Sequence, residues 1–535
     1  MTTEASRAAS EGPTAPKMSS SSSSSSRFLH YEGANYFRQR LVLATLSGRG
    51  VIIKKIRSDD LHAPGLKDYE TSFLRLLDKI TDGARIQINN TGTQLKYDPG
   101  QLVGCPADGR SLVHECPPSR GLGYWLEALA LLLPFARNVS KIRLLGVTNK
   151  CATTTSVDVL SGAGGEQDML SSGDQTSAQV QDLSVDSFRS VTLPWLQKLF
   201  SPRKTSANPN QQDQSLTINQ GSKNPDSVVL HSNQTNFASD QLSFKVIRRS
   251  CGAVVGGNSK DATNSATSTS NGTPTSTSTG EVWFQCPTLV RVRPLNLVGD
   301  FRCKRVRGVA FTSGVTPQFA TRMCDAARGV LNDFLPDVWI FADHDKAHAN
   351  KGGTQGGEKS RGFGLSLVAE SIDGTYKSVD VCSSGTLAAA ERALIEDAET
   401  AVPGSDDGDS MEVDSEEEGD RNKASASSKP GNKADVSDVP HALGRAGAAR
   451  LLAELSLGGC VDSGHQILLL HYLALAEEDE ASRVRVGKLT PAAIEYLRYI
   501  KDFLNVQFKI RQDVDDSVLL SCVGVGLANI SRPTF

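Results

Sequence analysis

Two groups of cations are the residues through which this chain could do chemistry. Arg38, Arg40, Lys54, Lys55 and Arg57 fall close together in sequence, and such a cluster suits a polyanion surface. Arg498 and Lys501 stand three apart, on one face of an expected helix. Such a pair could hold an RNA phosphate, or stabilise the charge that develops when a 2'-hydroxyl attacks its neighbouring phosphate. That reaction also wants a general base; Tyr499 lies between the cations, and Asp502 or Glu495 are weak substitutes. A solvent-facing amphipathic helix is the competing account. Arg120-Gly121 opens another helix, where free backbone N–H groups and an arginine could hold a phosphate, or where a plain capped core helix could begin. Arg302, Lys304, Arg305 and Arg307 alternate along a strand and so divide between its two faces. They serve either to track a phosphate backbone or as solvated edge charge. Ten cysteines include no CxxC and nine histidines show no metal spacing, His344 and His348 included. No metal or other cofactor is expected.

The elements that must position these groups read as α/β. Leu41, Val42, Leu43 and Leu46 form an apolar helical stripe that Gly48 to Gly50 ends. Residues 51–56 form a strand, and a helix follows Pro64-Gly65 with Phe73, Leu74, Leu77 and Ile80 at 3–4 spacing. Further strands are expected at 85–90, 141–147, 241–250, 280–286, 305–311, 336–342, 362–371 and 505–510. Helices are expected at 121–136, 188–200, 317–334, 440–456, 464–477 and 491–504. The last opens on Thr490-Pro491, a cap followed by proline, with Leu497, Ile500 and Leu504 as its buried stripe. Strand pairs alternating with helices suit mixed sheets covered by helices on one face.

Much of the 535-residue chain lacks the apolar content to fold. The tail at 1–26 with its Ser19 to Ser26 run, inserts at about 159–183, 203–238 and 254–280, and a linker at 389–436 are expected to be disordered. The net charge of −3 conceals an asymmetry. Glu396 to Asp420 holds twelve acids and no Lys or Arg, so without it the balance is 57 minus 48, or +9. A body that positive should attract nucleic acid or an acidic protein face. Aromatics are 6% of the chain and do not interleave regularly with basic residues, so base stacking is not indicated. No apolar run reaches the roughly 18 residues of a spanning helix, and the N-terminus lacks a secretory core, so no membrane is expected and the chain is placed inside the cell.

Several blocks carry a family resemblance. Glu32-Gly33, the run Asn35-Tyr36-Phe37-Arg38-Gln39-Arg40, Leu46-Ser47-Gly48-Arg49 and Pro64-Gly65-Leu66, with the stretches 119–135, 305–341 and 457–476, resemble the RNA 3'-terminal phosphate cyclase superfamily, specifically its eukaryotic cyclase-like branch. The resemblance implies a large domain of three βαβαββ-type units, at 27–287 and 437–535, and a small α/β domain inserted before the third unit, at 288–388. A cyclase of this kind activates an RNA 3'-phosphate with ATP through a covalent histidine–nucleotide intermediate. Here the corresponding place falls near Pro491-Ala492-Ala493, and no histidine follows His471. The glycine-rich turn is shortened to Glu32-Gly33-Ala34-Asn35, with Arg38 kept. Asp68, Tyr69 and Glu70 stand where cyclases have Arg, Gln and His, and His465-Gln466 where they have Asp-Gln.

The resemblance therefore implies a degenerate binding module: a nucleolar factor of the small-subunit processome that docks on pre-rRNA and an assembly GTPase, a monomer within a large particle. An endoribonuclease cutting pre-rRNA upstream of the mature small-subunit RNA is the alternative. An active ATP-dependent cyclase is the remote one.

Overall fold

The computed structural model describes residues 28–106, 108–150, 182–200, 242–251, 280–344, 362–383, 439–513 and 517–529. The tail, the 203–238 insert, the acidic linker and His348 lie outside the described residues, as do the 159–183 insert apart from Asp182 and Leu183, and the 254–280 insert apart from Gly280.

One topology occurs three times. In the first repeat, strand Phe28–Glu32 runs parallel to Gly50–Lys54 across helix Phe37–Ser47. Helix Asp68–Ile80 then leads to strands Arg85–Ile88 and Leu95–Asp98, and the later of these pairs with Gly50–Lys54. The strand order is thus first, second, fourth, third. The second repeat follows the same order with Leu112–Glu115, Ser140–Gly146, Ser243–Arg248 and Gly280–Cys286. Its helices are Gly123–Leu132 and a bent one in which a π-helical segment, Phe188–Thr192, joins Val185–Ser187 to Leu193–Phe200. The third uses Asn296–Leu297, Ser482–Val486, Lys509–Gln512 and Val518–Cys522, with helices Gln466–Leu475 and Pro491–Leu504. The helix sides of the sheets share one core containing Phe73, Trp125, Phe284, Tyr472 and Tyr496.

The small domain enters after the first strand of the third repeat, whereas the sequence placed it before that unit. Asn296–Leu297 is two residues long, too short for any periodic signal, and only its parallel pairing with Ser482–Val486 reveals it. A second difference concerns helix Val439–Ser456, grouped from sequence with the third repeat. It packs with helix Gln318–Leu331 on one face of the small-domain sheet, burying Ala448 and Leu451 beside Met323, Phe363 and Leu365. That sheet orders Val338–His344, Cys303–Ser313, Gly362–Ser371 and Tyr376–Cys382. Lys377, fully buried, donates its Nζ to the carbonyls of Glu454 (2.8 Å) and Gly458 (2.6 Å). It thereby satisfies the acceptors left over at the end of that helix. Among the described residues, no helix is long and apolar enough to cross a membrane.

Arg249 joins the two domains. From the second repeat it pairs with buried Asp186 (Nη2 to Oδ1 2.8 Å), reaches Asp343 of the small domain (3.3 Å) and lies 4.9 Å from the Phe311 ring centroid. Burial alone would raise the Asp186 carboxyl, but Arg249 outweighs it and brings the group down to about 2. Removing one member of such a pair strands a buried charge. Arg249→Ala is expected to lower the unfolding free energy by about 3–5 kcal/mol in urea denaturation; a loss below about 1 kcal/mol would mean that the pair behaves as a surface ion pair.

Candidate functional site

Between the domains lies a cleft of about 480 Å³. It is lined by the start of helix Pro491–Leu504, with Thr490, Pro491 and Ala492, and by Glu127, Asp182, Asp380, Glu454 and Asp462. Among the described residues that line it, Arg450 is the one cation. The helix start is fixed locally. The Thr490 hydroxyl accepts from the Ala493 N–H (3.2 Å), and Gln466 bridges the preceding turn, donating to the Lys488 carbonyl (2.9 Å) and accepting from the Thr490 N–H (2.9 Å).

Beside the cleft, two arginines converge on carboxylates of the chain itself. Arg120 makes a two-pronged pair with Asp182 (2.6 and 2.5 Å) and lies over the rings of Tyr69 and Tyr124. Arg38, 5% exposed, pairs with Glu127, donates to the Tyr124 carbonyl (2.7 Å) and comes within 3.9 Å of Asp182. Glu127 also accepts from the Leu183 N–H (3.2 Å). Gly121 lies just before helix Gly123–Leu132, whose start is covered: a Cβ on Gly123 would stand 1.8 Å from the Leu183 carbonyl oxygen. The place where sequence reasoning put a bound phosphate is filled by Asp182 and Leu183. Those two residues fall inside the stretch read as unable to fold, so no sequence signal announced them.

The other expected cations are dispersed. Arg40 is buried and donates to the Tyr499 hydroxyl (2.9 and 3.1 Å) and the Gly33 carbonyl (2.9 Å). Arg57 makes a two-pronged pair with Glu70 (2.7 and 2.8 Å). On the small-domain sheet Arg305 pairs with Glu370 (2.6 Å) and Arg307 with Asp337 (2.8 and 2.9 Å), while Arg302 and Lys304 are exposed next to an irregular register. Arg498 pairs with Glu495, and both Arg498 and Lys501 face solvent. Neither lines the cleft. Tyr499 does not separate them at the surface. It belongs to the buried stripe of that helix, with Ala492, Ala493, Tyr496, Ile500 and Phe503, whereas Leu497 and Leu504 are half-buried. Asp502 accepts from the Tyr31 hydroxyl (3.0 Å).

Neither histidine nearest the cleft is available to it. His471 is fully buried, with Nδ1 2.6 Å from the Tyr496 hydroxyl and Nε2 3.2 Å from the Leu131 carbonyl, and burial pushes its pKa down to about 3. Its partners assign a neutral ring whose Nε2 donates. His465 is also fully buried, bonded through Nδ1 to Asp462 (2.6 Å) and through Nε2 to Thr192 (2.8 Å). Burial opposes its charge, but Asp462 outweighs that and the pKa rises.

Two family models match in sequence: RNA 3'-terminal phosphate cyclase over residues 29–163, and the insert domain of that cyclase over 302–401. The human RNA 3'-terminal phosphate cyclase-like protein is 35% identical over 511 residues, covering 94% of this chain and 97% of that protein. The chain belongs to the RNA 3'-terminal phosphate cyclase-like family. A cyclase-like relative from Dictyostelium discoideum is 33% identical, covering 95% of this chain and all of its own length. A Schizosaccharomyces pombe relative, rRNA processing protein rcl1, is 28% identical over 95% of this chain and 99% of its own.

Within this family frame, the cleft does not suit the nucleotide a cyclase uses. Its carboxylates would face the polyphosphate, and the two arginines beside it are already matched. Burial makes three of these acids costly to ionise. It raises the carboxyls of Glu127 and Glu454 and lifts Asp380 to about 6, despite the Ser184 N–H that Asp380 accepts (3.3 Å). The sign follows by linkage. The folded pKa of Asp380 exceeds its unfolded value near 4, so between those values the folded state binds more protons. Asp380 thus costs stability above about pH 6 and ceases to do so below about pH 4. Asp380→Asn is expected to be more stable than the unsubstituted protein by about 1–2 kcal/mol at pH 7.5, a difference that closes by pH 4 in paired urea titrations. A variant less stable at pH 7.5 would show that the carboxylate is compensated.

Proposed function

We propose that this chain acts in ribosomal RNA processing without cyclase activity. On this reading it is a nucleolar component of the small-subunit processome that docks on pre-rRNA and an assembly GTPase. The observation that carries the loss of cyclase chemistry is the cleft: Pro491 and Ala492 line it together with five acids, and His465 and His471 are bonded into the interior. A covalent histidine–nucleotide needs an accessible imidazole beside cations. The processing role is supported by the relative that bears that name and by the positive balance of the chain outside its acidic stretch.

Depleting the protein from cells is expected to accumulate unprocessed small-subunit rRNA precursor. Normal processing after depletion would contradict the proposal. Complementation with the Arg498→Ala, Lys501→Ala double variant then separates a docking module from a nuclease. We expect precursor cleavage and particle assembly to be kept or lost together. Cleavage lost from an intact particle would make those cations an endoribonuclease site.

A further inference from the structure

The second repeat carries on its outer sheet face a row of basic residues with a tryptophan at its middle. Val282, Phe284, Ile142 and Leu144 point into the core; their alternating neighbours therefore point outward. In register, Lys245, Trp283 and Arg143 stand side by side on three adjacent strands, and Val113 follows on the fourth. Trp283 is 37% exposed and Val113 43%. Lys141 and Arg248 lie on the same face in the neighbouring rows, and the Lys79 Nζ reaches the Val113 carbonyl at the sheet edge (3.1 Å). The acids of the face are Glu115 and Glu281. Glu281 is held in place, accepting from the Trp283 indole N–H (2.7 Å) and from Arg143 (3.0 Å). An indole fixed at its N–H edge, with cations on both neighbouring strands, has the chemistry that takes unpaired bases by stacking and their phosphates by charge.

We infer that the Lys245–Trp283–Arg143 row of the second repeat binds single-stranded RNA by stacking a base on Trp283. With Arg143 and Glu281 matched to each other, the remaining four cations against Glu115 favour a polyanion over a protein face. The inference rests on the rRNA-processing reading for its ligand, but not for its location.

The test uses the full chain with Trp339→Phe, because Trp339 is 55% exposed whereas Trp125 and Trp195 are buried. Titration with a twelve-nucleotide uridine RNA at low salt is expected to quench tryptophan emission with the Kd found by gel shift. Trp283→Phe should abolish the quench and keep most of the affinity, which also controls for folding. Trp283→Ala should weaken binding about ten-fold. Lys141→Ala with Lys245→Ala should flatten the salt dependence by roughly 0.7 log unit for each phosphate that is no longer neutralised. RNA binding that Trp283→Ala leaves unchanged would overturn the site while leaving the rRNA reading intact. No RNA binding by the unsubstituted chain would sink the site and the claim of direct RNA binding together. Unchanged RNA binding with lost association to a purified assembly GTPase would make this face a protein site and equally overturn the inference.

Discussion

Arg38 and Arg120 converge on Asp182, and the character of the interdomain cleft depends on that convergence. A guanidinium offers a planar fork that a carboxylate or a phosphate can fill equally well. Here Asp182 fills the fork of Arg120, and Glu127 takes Arg38. The anion site is occupied from within by a residue of the same chain. Leu183 follows directly, and its carbonyl oxygen crowds Gly123 at the start of helix Gly123–Leu132, while the Leu122 N–H there donates to the Val147 carbonyl. The positive charges of both arginines are matched by carboxylates of the chain.

The same substitution of internal partners runs through the neighbouring segment. Asp68, Tyr69 and Glu70 each find a partner inside the protein. Asp68 accepts from the Ser119 hydroxyl (2.8 Å), Tyr69 lies beside Arg120 and Glu70 binds Arg57. Glu70 also accepts from the Lys67 N–H (2.9 Å) and so helps to start its helix. This segment is thereby matched from within the chain. The small domain adds Asp380 from the other side of the cleft, and Arg249 ties that domain to the second repeat through Asp186 and Asp343. Domain attachment and an acidic cleft wall are therefore built by one face of one sheet.

Many individual elements were legible in the sequence because long amphipathic or apolar segments report their period, whereas the threefold repeat came from the family resemblance. Gly280–Cys286, Gly362–Ser371 and Pro491–Leu504 match their expected bounds. Short strands that complete a sheet do not: Phe28–Glu32, Leu112–Glu115 and Asn296–Leu297 are visible only through their partners. The strand expected at 505–510 begins later, at Lys509, because Asn505 takes a left-handed conformation to end the helix. The site was far less legible. The arginines could be named from sequence, but not their neutralisation, since Arg120 and Asp182 are joined across a segment with no periodicity. Basic and aromatic residues do not interleave along the chain, yet Lys245, Trp283 and Arg143 interleave across it, because sheet register brings together residues far apart in sequence. Composition reports the ingredients of a surface; only strand pairing reports its order.

The most direct measurement is calorimetric titration of inorganic pyrophosphate and of MgATP into the full chain, beside a Glu127→Gln, Asp182→Asn variant that frees Arg38 and Arg120. Internal neutralisation predicts no saturable binding to the unsubstituted protein and a gain of pyrophosphate binding in the variant. Saturable MgATP binding by the unsubstituted protein, weakened rather than strengthened by those two substitutions, would contradict it.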